Sequence, residues 1–567
     1  MKWLRGRHIH SIGEQAVLWG VFALAAGLII WRPIGYRLSV IPGTYGDTRL
    51  INYILEHNYR WLAGLEPNYW NPGLFYPFPL ALAFSDNLYG VGPFYAALRW
   101  AGLDRETALQ AWIFLGFFLN YASAALVLRR LRCGAVASAA GASFFAFGLP
   151  MLAQVGHLQM LYRFCIPPAC YLLWRFCETP RLRFLAGVAL LTLWQAAAGV
   201  YLGVLLALLL AALAVVLPWY WAAGWRARLA FWPRQVQAAW QKARPTGRAA
   251  AAVMGLLTLA GLMGLFWPYL RVIQLYGFTR PWEEIARMLP QPQSYLVADH
   301  VGYWQPVSKL MMGLTMRHEH QLFPGLAWYA LLAIGLAGRW AAPQRTAAAA
   351  HLLAAAALTV LTLSIAGVSL YQTVAWLPGM NSIRSVTRII LVLMWPGALW
   401  AAYAAGALLR LPQRPALRWL AAVLVLAAVL IEPLAFRHRY QFVKHHAQER
   451  LAGLRAQLPE TLPPNPVLFV AAKADEDPVA TEVDAMLLAQ ELGWPTLNGY
   501  SGNEPPGYHP ATTCAELPRR IHSYMTFAGT TDERFYLNLM RRVVPLGFTD
   551  CDPAWWQTMP PFPEAQP

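Results

Sequence analysis

The chain has 567 residues, 57% of them apolar and only 13% charged, with a formal net charge of +17. Roughly a quarter of the residues of an ordinary soluble domain are charged, so this chain cannot cover itself with water-facing groups and must use lipid as part of its solvent. The positive charge does not indicate nucleic acid either: Lys and Arg recur in short clusters between apolar runs, the spacing of membrane topology signals, and many of the 26 Trp and 25 Tyr flank those runs.

In chain order, a basic start (Lys2, Arg5, Arg7) precedes an apolar stretch from Val17 to Trp31. Arg32-Pro33-Ile34 follows with no small-residue cleavage site, so the stretch reads as an uncleaved first span with a cytoplasmic N-terminus. Residues 35-105 are polar and rich in Pro and aromatics, and read as a large outer loop with short interfacial helices. Apolar runs follow near 108-128, 134-150, 158-175, 184-199, 201-221, 250-270, 323-338, 347-366, 388-408 and 417-434. The expected count is about eleven spans.

Alternating sides from an inside N-terminus makes every inner connection basic. They carry Arg129, Arg130 and Arg132, then Arg175, Arg181 and Arg183, then the cluster from Arg226 to Arg248, then Arg339 and Arg345, and finally Arg410, Arg414 and Arg418. The outer stretches 35-105, 271-322 and 367-387 mix both signs. An odd number of spans then puts residues 435-567 outside. The expected division is a transmembrane domain 1-434, with large outer loops 35-105 and 271-322, and a C-terminal soluble periplasmic domain 435-567.

That tail reads as a small α/β unit. Residues 466-471 form a buried-strand run, Thr481 to Leu492 has helical periodicity closed by Gly493, and turn signals crowd 498-506 (NGYSGNEPP). Cys514 and Cys551 are the two tail cysteines and form a candidate disulfide if the tail faces an oxidising compartment. No Zn-type Cys/His spacing, P-loop or dinucleotide glycine fingerprint is found.

Two carboxylates bracket the first outer loop. Asp47 follows Gly46 shortly after the first span, where a partly desolvated carboxylate can act as general base; the alternative is that it caps a helix running from Leu50 to Trp61. Asp86 lies at the loop's far end, as a second acid or as another N-cap. Among cations at the outer face, Arg384 and Arg388 stand four apart and share a face if that segment is helical. Arg163 falls inside an apolar run, and Arg280 follows the seventh span, where snorkelling to headgroups explains it. His157 lies in a short outer turn beside Gln154 and Gln159 and is open to a phosphate or a sugar hydroxyl. Glu319 stands between His318 and His320, a triplet whose side chains diverge on a helix and make a poor chelate, so no metal site is assigned.

A Gly-Asp carboxylate after the first span, a second acid late in the same loop, and many spans followed by an outer tail resemble the GT-C superfamily of membrane glycosyltransferases. So do Phe75-Tyr76-Pro77-Phe78, Gly156-His157-Leu158-Gln159, Glu319 with Phe323-Pro324-Gly325, and Pro378-Gly379 with Ile383-Arg384-Ser385-Val386-Thr387-Arg388. The resemblance implies a GT-C-like α-helical polytopic membrane protein of a bacterial inner membrane. It implies a donor sugar on a polyprenyl phosphate and a glycan, lipid or protein acceptor on the periplasmic side, with membrane lipid as a partner. Transfer would be inverting, with Asp47 as base and Asp86 as the second acid. Arg49, His157, Arg163, Glu319, Arg384 and Arg388 are the candidate substrate contacts. No cofactor is required by this reading, which leaves room for a divalent cation. No sequon-reading motif of the oligosaccharyltransferases is found, which disfavours protein N-glycosylation. Two rival readings stay open: a transporter or flippase of a lipid-linked or small polar substrate, and a non-catalytic envelope scaffold.

Overall fold

The long apolar runs become helices because lipid offers no partner for free backbone N–H and C=O groups, and a helix satisfies them internally. The computed structural model describes residues 12–31, 34–338, 344–377, 379–381, 383–437, 440–473 and 475–547. Expectations for Lys2, Arg5, Arg7, Arg339, Pro378 and Cys551 fall outside them, and with Cys551 the Cys514–Cys551 pairing.

Eight helices among the described residues are long and apolar enough to cross a membrane: Ile12–Trp31, Arg105–Arg130, Ala135–Ala153, Val200–Trp221, Pro245–Tyr276, Gln344–Thr362, Val386–Leu408 and Pro415–Leu434. Three further apolar runs form shorter helices, Ile166–Glu178, Leu182–Ala198 and Leu326–Ala337. At 1.5 Å per residue, the 13-residue Ile166–Glu178 helix reaches only about 20 Å against a hydrocarbon core of about 30 Å. Its late start has a local cause. Pro167 and Pro168 carry no amide proton, so they fit the first helical turn and not its interior.

The chain divides into two compact units. The first comprises the described part of Met1–Tyr36, with Gln110–Leu265 and Thr279–Arg439. Its centre is the pair of helices Ala135–Phe147 and Ile390–Leu408, each in a span 89% buried, whereas the Pro245–Tyr276 span is 6% buried. Small residues allow this pairing: a Cβ added at Gly141 would lie 2.7 Å from the Ala398 carbonyl oxygen. Helices in lipid associate through such close backbone approach, because lipid chains are as apolar as Leu and give no hydrophobic drive.

The second unit comprises Arg37–Leu109, Phe266–Phe278 and the described part of Tyr440–Pro567. Val40–Pro42 pairs antiparallel with Gln441–Val443, with Val40 opposite Val443. Val467–Val470 pairs in parallel with Val543–Leu546. All four residues of Val467–Val470 are buried, the pattern of a strand covered on both faces. Phe469, Leu497, Leu517, Ile521, Met525 and Leu539 pack into one core with it. The Pro478–Leu492 helix starts from Asp477, whose carboxylate accepts from the Val479 N–H, and stops at Gly493 in the left-handed conformation.

That helix packs on Asp47–Leu62, in which Thr48 through Asn58 are all buried. A buried helix this polar is viable only if its polar groups are paired. Tyr95 Oη donates to Glu56 at 2.9 Å, Arg99 forks onto the same carboxylate, and Asn58 donates to the Asn87 carbonyl. Arg49 is paired with Asp484, which also accepts from Arg450 Nε at 2.6 Å. Replacing Asp484 by Ala strips Arg49 of this buried partner and is expected to destabilise the unit by about 3–5 kcal/mol. A thermal shift in detergent measures it; an unchanged midpoint contradicts the assignment.

Candidate functional site

The helix expected from Leu50 begins at Asp47 itself, with Gly46 in the cap position and no side-chain cap bond. Asp47 therefore does not cap it. Its carboxylate stands in the first turn, where the helix dipole favours negative charge, and its Oδ1 accepts from the Tyr500 hydroxyl at 2.7 Å. Its amide donates to Thr44 Oγ1 at 3.1 Å. A Cβ at Gly46 would meet Val479 Cγ1 at 3.0 Å and the Tyr500 ring at 3.4 Å, so the glycine clears space for Tyr500 to reach the acid.

Asp86 is half-buried and is not an N-cap either, since the next helix, Gly92–Trp100, is capped at Val91. Its neighbours are held by Tyr269, whose hydroxyl donates to the Ser85 carbonyl at 3.0 Å and accepts from Asn87. The turn carrying Tyr500 also reaches this segment: Asn503 Nδ2 donates to the Phe84 carbonyl at 3.2 Å, and Gly502 lies against Phe84 and Ser85. One turn of the tail thus touches Asp47 and the residues just before Asp86.

The turn is fixed from inside the unit. Asn498 exchanges hydrogen bonds with both backbone groups of Val470 and donates to Glu482 at 2.8 Å. Glu482 is buried and further accepts from the Gly499 N–H, the Tyr508 hydroxyl, the Ala511 N–H and the Arg520 guanidinium. Tyr500, Asn503 and Glu482 were not singled out from sequence. The turn-rich string NGYSGNEPP marks their neighbourhood as a turn but carries no sign of what it touches.

Arg49 shares a helix with Asp47, but its guanidinium is engaged by Asp484. The remaining candidates lie in the other unit. Arg163 is fully buried; its Nη1 donates to the Leu391 carbonyl at 3.0 Å, its Nη2 to the Phe145 carbonyl at 2.8 Å, and the group lies 4.7 Å from the Phe145 ring centre. It ties the two central helices together. Arg384 and Arg388 do not share a helical face, because the helix starts only at Val386 and Arg384 precedes it. Arg388 forks onto Glu319 through Nε at 3.1 Å and Nη2 at 2.6 Å, with side chains 8% and 3% exposed. Arg384 is 43% exposed and 3.6 Å from Glu284, which also lies 3.5 Å from Arg280. His157 Nε2 stands 3.9 Å from Glu319.

Glu319 is therefore a buried partner of Arg388 and not a solvated loop charge. Burial alone would raise its carboxyl, but Arg388, His157 and the Ser385 hydroxyl outweigh that and hold it well below the usual carboxylate range. Its loop is fastened on both sides. His320 contacts Ser294 Oγ at 2.7 Å and the Arg287 carbonyl at 3.1 Å. Arg317 and Gln321 both donate to Asp299, as does Ser308 at 2.6 Å.

Burial of Asp299 works against ionisation, yet these donors bring its carboxyl from 3.8 down to about 2. A depressed carboxyl contributes stability that is fully present above its unfolded value and fades as pH falls through the folded one. Thermal stability is thus expected to decline between about pH 4 and pH 2 by an increment that Asp299→Asn lacks, as read from melting curves of the two proteins in detergent.

No family model matches the chain, and no curated protein matches it. Among solved structures it is similar to an archaeal oligosaccharyltransferase, AglB from Archaeoglobus fulgidus, in complex with an inhibitory peptide and a dolichol-phosphate. The TM-score is 0.47 at 12% identity over 86% of this chain and 64% of that one. The chain thus spans less than two thirds of the length of that structure.

Proposed function

We propose that this is a GT-C-like glycosyltransferase of a bacterial inner membrane, with about eleven spans, a cytoplasmic N-terminus and a periplasmic tail. It moves one sugar from a polyprenyl-phosphate carrier to an outward-facing glycan, lipid or protein acceptor, with inversion. The observation that carries the reading is the carboxylate of Asp47: it heads a helix without capping it and is held by Tyr500 from a turn that also touches the segment before Asp86.

Asp47 takes the proton of the acceptor hydroxyl while the acceptor oxygen bonds to the anomeric carbon. The bond from that carbon to the phosphate oxygen breaks on the opposite face, and polyprenyl phosphate leaves with the electron pair. Its developing charge needs a cation.

Proteoliposomes holding the full chain, supplied with a panel of radiolabelled polyprenyl-phosphate sugars, are expected to pass label to an acceptor with the anomeric configuration inverted. Retention of configuration, or no transfer from any donor, sinks the reading. Tyr500→Phe removes a hydrogen bond to a charged group, worth about 1.5–3 kcal/mol where fully expressed. Tyr500 holds the base in place, so the variant should lower kcat by roughly tenfold or more with KM little changed. A rate that falls only in step with the melting midpoint would leave Tyr500 a packing residue.

A further inference from the structure

A cavity of about 1070 Å³ lies within the first unit, between the start of the Leu182–Ala198 helix and the start of Pro245–Tyr276, beside the end of Phe231–Lys242. It takes no part in the proposed chemistry. Small and apolar residues line its floor, among them Gly187, Ala250 and Met254, while Arg181, Arg183, Lys242 and Arg244 line its rim. The acid that lines it, Glu178, is engaged by Arg175 at 2.5 Å and by the Trp174 indole N–H at 2.9 Å. Among the described residues, none of the four rim cations has a carboxylate within ion-pair distance.

Four exposed cations without a carboxylate partner attract an anion, and a lining otherwise mostly small and apolar, with Thr179 and Thr246 as its neutral polar side chains, suits an apolar body attached to that anion. The Pro245–Tyr276 helix continues away from this floor with Val253, Leu256 and Leu257 exposed, Leu256 by 67%, so an acyl chain leaving the cavity would meet apolar surface. We propose that the groove binds an anionic phospholipid, with its phosphate on Arg181, Arg183, Lys242 and Arg244 and its first methylenes on the floor. The basic-loop pattern assigns this end of the helices to the cytoplasmic leaflet, where anionic headgroups attract such clusters.

The basic inner connections supply their own control. Arg226, Arg234, Arg414 and Arg418 are also exposed arginines of that side but line no part of the cavity. Purified full-length chain, stripped of lipid in a neutral detergent, would be titrated with phosphatidylglycerol or phosphatidylcholine and read by native mass spectrometry. One phosphatidylglycerol per chain should be retained in preference to phosphatidylcholine. Each cation near an anionic headgroup is worth roughly a factor of five in affinity. The variant Arg181→Ala/Arg183→Ala/Lys242→Ala/Arg244→Ala should therefore lose at least about tenfold, while Ala replacement of the four control arginines leaves retention unchanged. Ala250→Trp, which fills the floor and keeps every charge, should lose the lipid as well and covers the case in which the quadruple variant fails to fold. The proposal is overturned if the control set loses as much as the groove set, if Ala250→Trp retains the lipid, or if soluble glycerol phosphate displaces it completely.

Discussion

Replacing Asp47 by Asn is expected to lower sugar transfer by about 10²–10⁴-fold, the usual contribution of a positioned general base. The amide keeps the size of the side chain and a carbonyl oxygen that can still accept from Tyr500, so the turn at 500–503 keeps its seat. What is lost is a group able to take a proton. The stability cost is limited to the interaction of a carboxylate with the helix N-terminus, about 0.3–1 kcal/mol at such a site. Transfer in membranes and the melting midpoint of the purified protein separate the two effects. Undiminished transfer would remove Asp47 from the base role, and a collapse of the midpoint would return it to a structural one.

Replacing Glu319 by Ala is expected to destabilise the first unit by about 3–5 kcal/mol. Two buried charges held by two hydrogen bonds are tolerable together, but either one alone in a dry setting is not. Arg388 would lose the carboxylate that engages both its Nε and its Nη2. A double variant, Glu319→Ala with Arg388→Met, also removes the guanidinium deprived of this carboxylate and should recover much of the loss, a non-additivity that a melting series resolves. If Glu319→Ala melts like wild type but weakens donor use, the pair serves binding and not stability. The same experiment decides between the two views of Arg388, as a phosphate ligand or as the anchor of the loop from Arg317 to Gln321.

The membrane character of this protein is determined by its sequence alone. Length, hydropathy and the scarcity of charge are sums over residues, and backbone satisfaction in lipid turns each long apolar run into a helix without reference to any other. The C-terminal stop at Gly493 is legible for the same reason, whereas the expected start at Thr481 lies three residues late of Pro478, where Asp477 caps the helix. The two acids of the first loop were also visible, as residue types at a membrane edge.

Partners were not visible, because the pairings that define them join residues from about seventy to more than four hundred positions apart. Val40 with Val443, Arg49 with Asp484, Asp47 with Tyr500 and Glu319 with Arg388 leave no periodicity at either end. Arg49, Arg163 and Arg388 look alike as isolated guanidiniums near a membrane surface. Packing alone distinguishes them, giving the first to a buried carboxylate, the second to backbone carbonyls of two central helices and the third to Glu319. Tertiary structure likewise joined the first loop and the tail in one unit, since a three-residue strand such as Val40–Pro42 is stable only against a partner that the chain supplies some four hundred residues later.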